Sequence, residues 1–116
     1  MNLAQVDFQQ LRIKHILYKS KVRSMLYGGT YDPAFFSATG PVSQWFTATG
    51  QVKYNREPEL HALINVHQEL NTAATQMHRL YTSGKIDEAH DGLKNIEKKS
   101  DQFLDLLAQM EKRLAV

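Results

Sequence analysis

The sequence predicts an all-α fold, an antiparallel four-helix bundle of three long helices plus short helical segments. Three observations carry that expectation. Apolar residues recur at three-and-four spacing through three stretches, stop signals follow the first two of them, and no stretch alternates with the period of a half-buried strand. At 116 residues the chain suffices for one hydrophobic core, so residues 1–116 are expected to form a single domain.

The first helix is expected from Leu3 to Leu26, with Phe8, Leu11, His15, Tyr18, Val22 and Met25 on one seam. Gly28 and Gly29 end it, because a helix stop favours a residue that tolerates positive φ. In the less regular sequence that follows, Asp32-Pro33 and Gly40-Pro41 each read as a cap with proline at the first helical position. Two short helices are expected there, roughly 33 to 38 and 41 to 49, the second carrying Trp45 beside Phe46 and stopping near Gly50.

Pro58 opens the next long helix, whose seam reads Leu60, Leu63, His67, Leu70, Ala74, Met77 and Tyr81 and which closes at Ser83-Gly84. The last helix runs from about Ile86 to Leu114, with Ile86, Leu93, Ile96, Phe103, Leu107, Met110 and Leu114 expected on the buried side. The stretch between Gly28 and Pro58 is long for a plain connection. It is expected to pack over one end or side of the bundle and to be a place where function resides.

Composition narrows the function classes. Fourteen Lys and Arg stand against twelve Asp and Glu, for a net charge of +2, and the signs are interspersed. The densest basic stretch, Lys19, Lys21 and Arg23, lies on a strongly periodic helix, which reads as a solvated face and not as a nucleic-acid interface. With no cysteine there can be no disulfide, thiolate nucleophile or thiolate metal site. No run of apolar residues is long enough for a membrane span, so a cytoplasmic protein without membrane insertion is expected, either free-standing or as a domain of a larger chain. No GxSxG, glycine-rich phosphate loop or HExxH occurs, and the carboxylate pairs Asp87-Glu88 and Asp101 with Asp105 fall near a helix start or on a wet face. No enzymatic activity is expected.

His15 and His67 each sit in the apolar seam of their own helix, so the two imidazoles are placed to meet in the core. Asn71 follows His67 at i+4 and points the same way. Such a convergence builds either a metal site or a pair of core histidines satisfied by neighbouring groups. A further alternative is a pH-responsive core, since two buried imidazoles close together resist joint protonation. His61, His78 and His90 read as surface histidines.

The order His15-Ile16-Leu17-Tyr18-Lys19, Val22-Arg23, Leu26, Gly28, then Trp45, Gly50, Tyr54, Pro58, Leu63 and His67 resembles the chemoreceptor zinc-binding domain. That helical module is attached to bacterial chemoreceptors and diguanylate cyclases, and the resemblance spans roughly residues 8 to 112. Its most specific parts are the His-x-x-aromatic-Lys opening and a glycine five residues after the tryptophan. The family's zinc ligands are a histidine on the first long helix, a cysteine five residues before the tryptophan and a His-x-x-x-His pair on the next long helix. Here they fall on His15, Gly40, His67 and Asn71, so the thiolate and one imidazole are missing. Two imidazoles and a neutral amide should hold zinc far more weakly than the full set, at low occupancy.

The resemblance therefore implies a non-enzymatic bacterial sensory or regulatory domain in signal transduction, such as chemotaxis, acting through a protein partner or as a homodimer with a degraded zinc site. One alternative is a genuine zinc or divalent-metal sensor using His15, His67, Asn71 and water. The other is a structural adaptor.

Overall fold

A computed structural model describes residues 2–114; residue 1 and residues 115–116, the ends of the expected domain, lie outside the described residues. Among these the chain is all-helical. Helix α1 spans Leu3–Met25, α2 Pro41–Trp45, α3 Gln51–Lys53, α4 Pro58–Thr82 and α5 Ile86–Leu114, with a π-helical turn at Phe46–Gly50 joining α2 to α3. The whole measures 48 × 23 × 22 Å, close to the length of its longest helix at ~1.5 Å per residue.

Local chemistry explains the boundaries. Asn2 caps α1 reciprocally with Gln5, Pro41 and Pro58 sit in the first turns of α2 and α4, and Gly28 and Gly84 supply the positive φ (84° and 82°) that ends α1 and α4. Every expected seam residue of α1 is buried, as are Leu60, Leu63, His67, Leu70, Ala74 and Met77 of α4. Ion pairs mark how the long helices lie beside α5. Arg12 meets Glu111 (3.1 Å) and Arg23 meets Glu97 (2.7 Å). Glu69 meets Lys99 (2.6 Å), and Arg113 reaches both Glu57 and Glu59. Such partly exposed pairs each contribute only ~0–1 kcal/mol, so they report register more than stability.

Three expectations are corrected. No helix forms over 33–38: Asp32 accepts from the Ala34 N–H, and Ser37 and Thr39 hydroxyls take the Ala34 carbonyl, so side chains hold a chain of turns where a helix would need backbone partners. Gly50 does not stop a helix; it lies buried inside one that continues to Lys53. A Cβ at Gly50 would lie 2.9 Å from the Trp45 ring and 3.0 Å from Leu60, so the glycine is there for close packing. The π turn, closed by the Gln51 N–H on the Phe46 carbonyl, brings the fifth residue after Trp45 under its ring. Ile86, finally, is exposed: Ala89 begins the buried face of α5.

Candidate functional site

Trp45 and Tyr54 anchor the connection between α1 and α4 on a buried node the sequence reading did not find. Asp7, on α1, accepts from Lys53 Nζ (3.1 Å) and from the Tyr54 hydroxyl (2.7 Å), while its carbonyl oxygen accepts from Trp45 Nε1 (3.1 Å). Burial, reinforced by the Asp7 carboxylate, raises the Tyr54 hydroxyl above its ordinary range, so it stays a donor. Asp7 lies one residue off the apolar seam, and only the position of its partners, all more than thirty residues away in sequence, reveals it as a clasp.

With α2 held in this way, α1, α4 and α5 bring His15, His67, Tyr18 and Phe103 together in the core. His15 is fully buried and stacks on Phe103 at 4.2 Å between ring centroids. Its Nε2 shares a 2.7 Å hydrogen bond with Ser100 Oγ on α5, and its Nδ1 is sealed without a partner. His67 is also buried, edge-on to Tyr18 at 5.0 Å, yet makes no hydrogen bond among the described residues. The Tyr18 hydroxyl donates instead to Asn71 Oδ1 (2.7 Å). Burial lowers His15 to about 4, with His67 and Lys19 adding to it, and burial lowers His67 to about 4. Both rings are therefore neutral near pH 7.

Three of the four positions expected of a zinc set, His15, His67 and Asn71, thus border Tyr18 in common but are differently employed. His15 Nε2 is taken by Ser100, and Asn71 Oδ1 by Tyr18. Gly40 is buried at the start of α2, where any Cβ would overlap the Phe35 carbonyl oxygen, so a cysteine there requires the 35–40 segment to move. Among the described residues no group of three or more histidine, aspartate or glutamate side chains is placed to hold a metal ion. Ser100, the partner that completes His15, carried no signal in the sequence beyond being a small polar residue on an apolar face.

The remaining histidines lie apart from this cluster. His61 is exposed and bonds to the Asn55 carbonyl (2.6 Å). His90 is half-buried against Tyr27, and His78, expected at the surface, is half-buried with its ring stacked on Tyr31 at 3.7 Å.

Two surfaces stand out around this core. A cavity of about 210 Å³ opens between the π turn and α4, where His67, Asn71 and Gln68 face Ser43 and Phe46. On the far side, α1 carries a second set of apolar residues, directed away from the core: Leu3, Val6, Ile13, Ile16 and Leu17 are all exposed, Ile13 by 66%. No helix among the described residues is long and apolar enough to cross a membrane.

Set against family models, curated proteins and solved structures, the chain matches none of them.

Proposed function

We propose that this chain is a non-enzymatic bacterial regulatory domain, related to the chemoreceptor zinc-binding module, that acts in signal transduction by pairing with a second copy of itself along α1. The observation that carries the reading is the exposed stripe of α1. A helix that packs one face into its own core has no internal use for a second apolar face, and contiguous exposed apolar surface marks an interaction site.

The stripe is also self-complementary. Leu3, Val6, Gln10, Ile13, Leu17, Ser20 and Ser24 follow alternating three-and-four steps, the spacing of a coiled-coil seam. Two copies crossing about a two-fold axis between Ile13 and Leu17 set Ile13 against Leu17 of the other copy, Gln10 against Ser20, and Val6 against Ser24, so the seam is apolar at its centre. Apolar meets apolar at the Ile13–Leu17 centre and polar meets polar at Gln10–Ser20, and each pair occurs twice about the axis, as an isologous interface requires. Lys14, Lys19 and Lys21 flank the stripe, so association should strengthen as salt screens them.

The order of the ion pairs supports an antiparallel four-helix bundle over a single domain: numbers rise along α1 from Arg12 to Arg23 while those of their α5 partners fall from Glu111 to Glu97. In this reading the zinc site is degenerate. The alternative of a divalent-metal sensor requires His15 to release Ser100 and Asn71 to release Tyr18, exchanging two formed hydrogen bonds for a ligand set without an anion.

Sedimentation equilibrium tests the proposal. A dimer that strengthens with salt and is lost in Ile13→Lys and in Leu17→Lys, with helical content unchanged, is the expected result. A monomer at all concentrations, or a dimer indifferent to both substitutions, would overturn it.

A further inference from the structure

Beyond self-association, and independently of it, the cavity between the π turn and α4 has the features of a ligand site. Its volume of about 210 Å³ corresponds to about seven waters at ~30 Å³ each, below the ~300 Å³ at which drug-sized pockets begin. An occupant is therefore one ring with a substituent.

The walls specify its chemistry. No charged side chain lines the cavity among the described residues, so an ionic ligand would lose hydration with nothing to replace it. Phe46 and Ile64 supply apolar surface, Phe46 as a ring on which a flat ligand can pack. Against them stand polar groups whose capacity the protein leaves unused. His67 is 97% buried, lines the cavity, and has no hydrogen-bond partner on either ring nitrogen among the described residues; Nδ1 is sealed, whereas Nε2 is not among the sealed atoms. Asn71 has its Oδ1 taken by Tyr18, which fixes the amide and leaves the Nδ2 hydrogens to donate into the cavity. Buried polar groups are nearly always partnered, so an orphaned imidazole one helical turn from a free amide donor marks missing partners.

We propose that this cavity binds a small, uncharged, ring-bearing amide or lactam, whose carbonyl accepts from Asn71 Nδ2 and from the His67 Nε2–H, the tautomer that leaves no N–H on the sealed Nδ1. The neutral state of His67 near pH 7 agrees with an uncharged ligand. Contact with α4 on one side and the π turn on the other would tie the connecting segment to the long helices, giving the domain a small-molecule input.

The test is a titration of the protein with nicotinamide, benzamide and 2-pyridone, followed by amide resonances in heteronuclear NMR, with nicotinate as the charged counterpart of nicotinamide. At least one of the three should saturate with a Kd of ~1 mM or tighter and shift Ser43, Thr47, Gln68 and Asn71, and nicotinate should bind at least tenfold more weakly. Asn71→Leu should abolish the shifts. Because that change touches the Tyr18 hydrogen bond, Ala38→Leu is the second variant: Ala38 lines the cavity from an exposed position, so a larger side chain there blocks the space without entering the core. No saturable binding by any of the three would show a cavity holding water only, and equal binding of nicotinate or binding that survives Ala38→Leu would place the ligand on other chemistry or elsewhere; each outcome would overturn the proposal.

Discussion

His15 and His67 occupy matching places in α1 and α4, are buried to the same degree, and are lowered to the same value of about 4, yet their surroundings are opposite. His15 is closed at its nitrogens: Ser100 bonds Nε2, Nδ1 is sealed and Phe103 covers its face, although the side chain also borders a surface pocket with Ile16, Lys19 and Leu104. His67 is open: it borders a cavity and has no hydrogen-bond partner among the described residues. Burial chiefly sets the charge of these imidazoles, with His67 and Lys19 adding at His15, but their partners decide whether a ring serves the fold or remains available for a ligand. The two rings that a zinc site would use alike have, in this chain, different employment.

The largest effect should be one the two rings share. Each binds its proton at about 4 in the folded chain and at an ordinary 6.5 when unfolded. Between those values the unfolded chain holds more protons, so stability rises with pH across the window and is lost as pH falls from 6.5 toward 4. At ~1.4 kcal/mol per unit, the loss is up to roughly 3 kcal/mol per histidine. Around His15 this involves His67, Lys19, Tyr18 and Ser100; urea midpoints across the window should fall with acid, and the double variant His15→Leu/His67→Leu should flatten the profile above pH 5.

Single substitutions then separate the rings. Ser100→Ala removes the one hydrogen-bond partner that a fully buried imidazole has among the described residues and should cost ~1–3 kcal/mol of unfolding free energy. His67→Leu deletes a buried polar group that has no protein partner, so denaturation should show a change within about 1 kcal/mol of zero, toward greater stability. Equal, large losses in both variants would erase the distinction between closed and open.

Much of the fold could be read from the sequence, and for a physical reason. A helix that buries one face must repeat apolar residues every three or four positions, so the seams of α1 and α4 and the glycine and proline boundaries of the long helices are written locally. The same logic failed where long-range contacts decide. Gly50 reads as a stop until Trp45 and Leu60 are seen against it. Pro33 reads as a helix start until the Asp32, Ser37 and Thr39 side chains take the backbone groups of Ala34. Ile86 continues the spacing of α5 but lies at its exposed first turn.

The candidate site was legible as a meeting of His15, His67 and Asn71, but the roles within it were not. Ser100 and Tyr18 claim two of the three groups, and nothing about their spacing announces that. The outer stripe of α1 was hidden for the opposite reason: the buried seam accounted for the periodicity so well that a second one on the same helix drew no attention.

The most direct test of the closed and open imidazoles is the side-chain ¹⁵N spectrum of both histidines near pH 7, recorded before and after one equivalent of zinc. The account predicts two neutral rings, His15 Nε2 hydrogen-bonded to Ser100, and neither His15 nitrogen moved by the metal. Zinc that shifts His15 and His67 together, with a metal-bound nitrogen on each, would contradict it and make the two rings partners in one metal site.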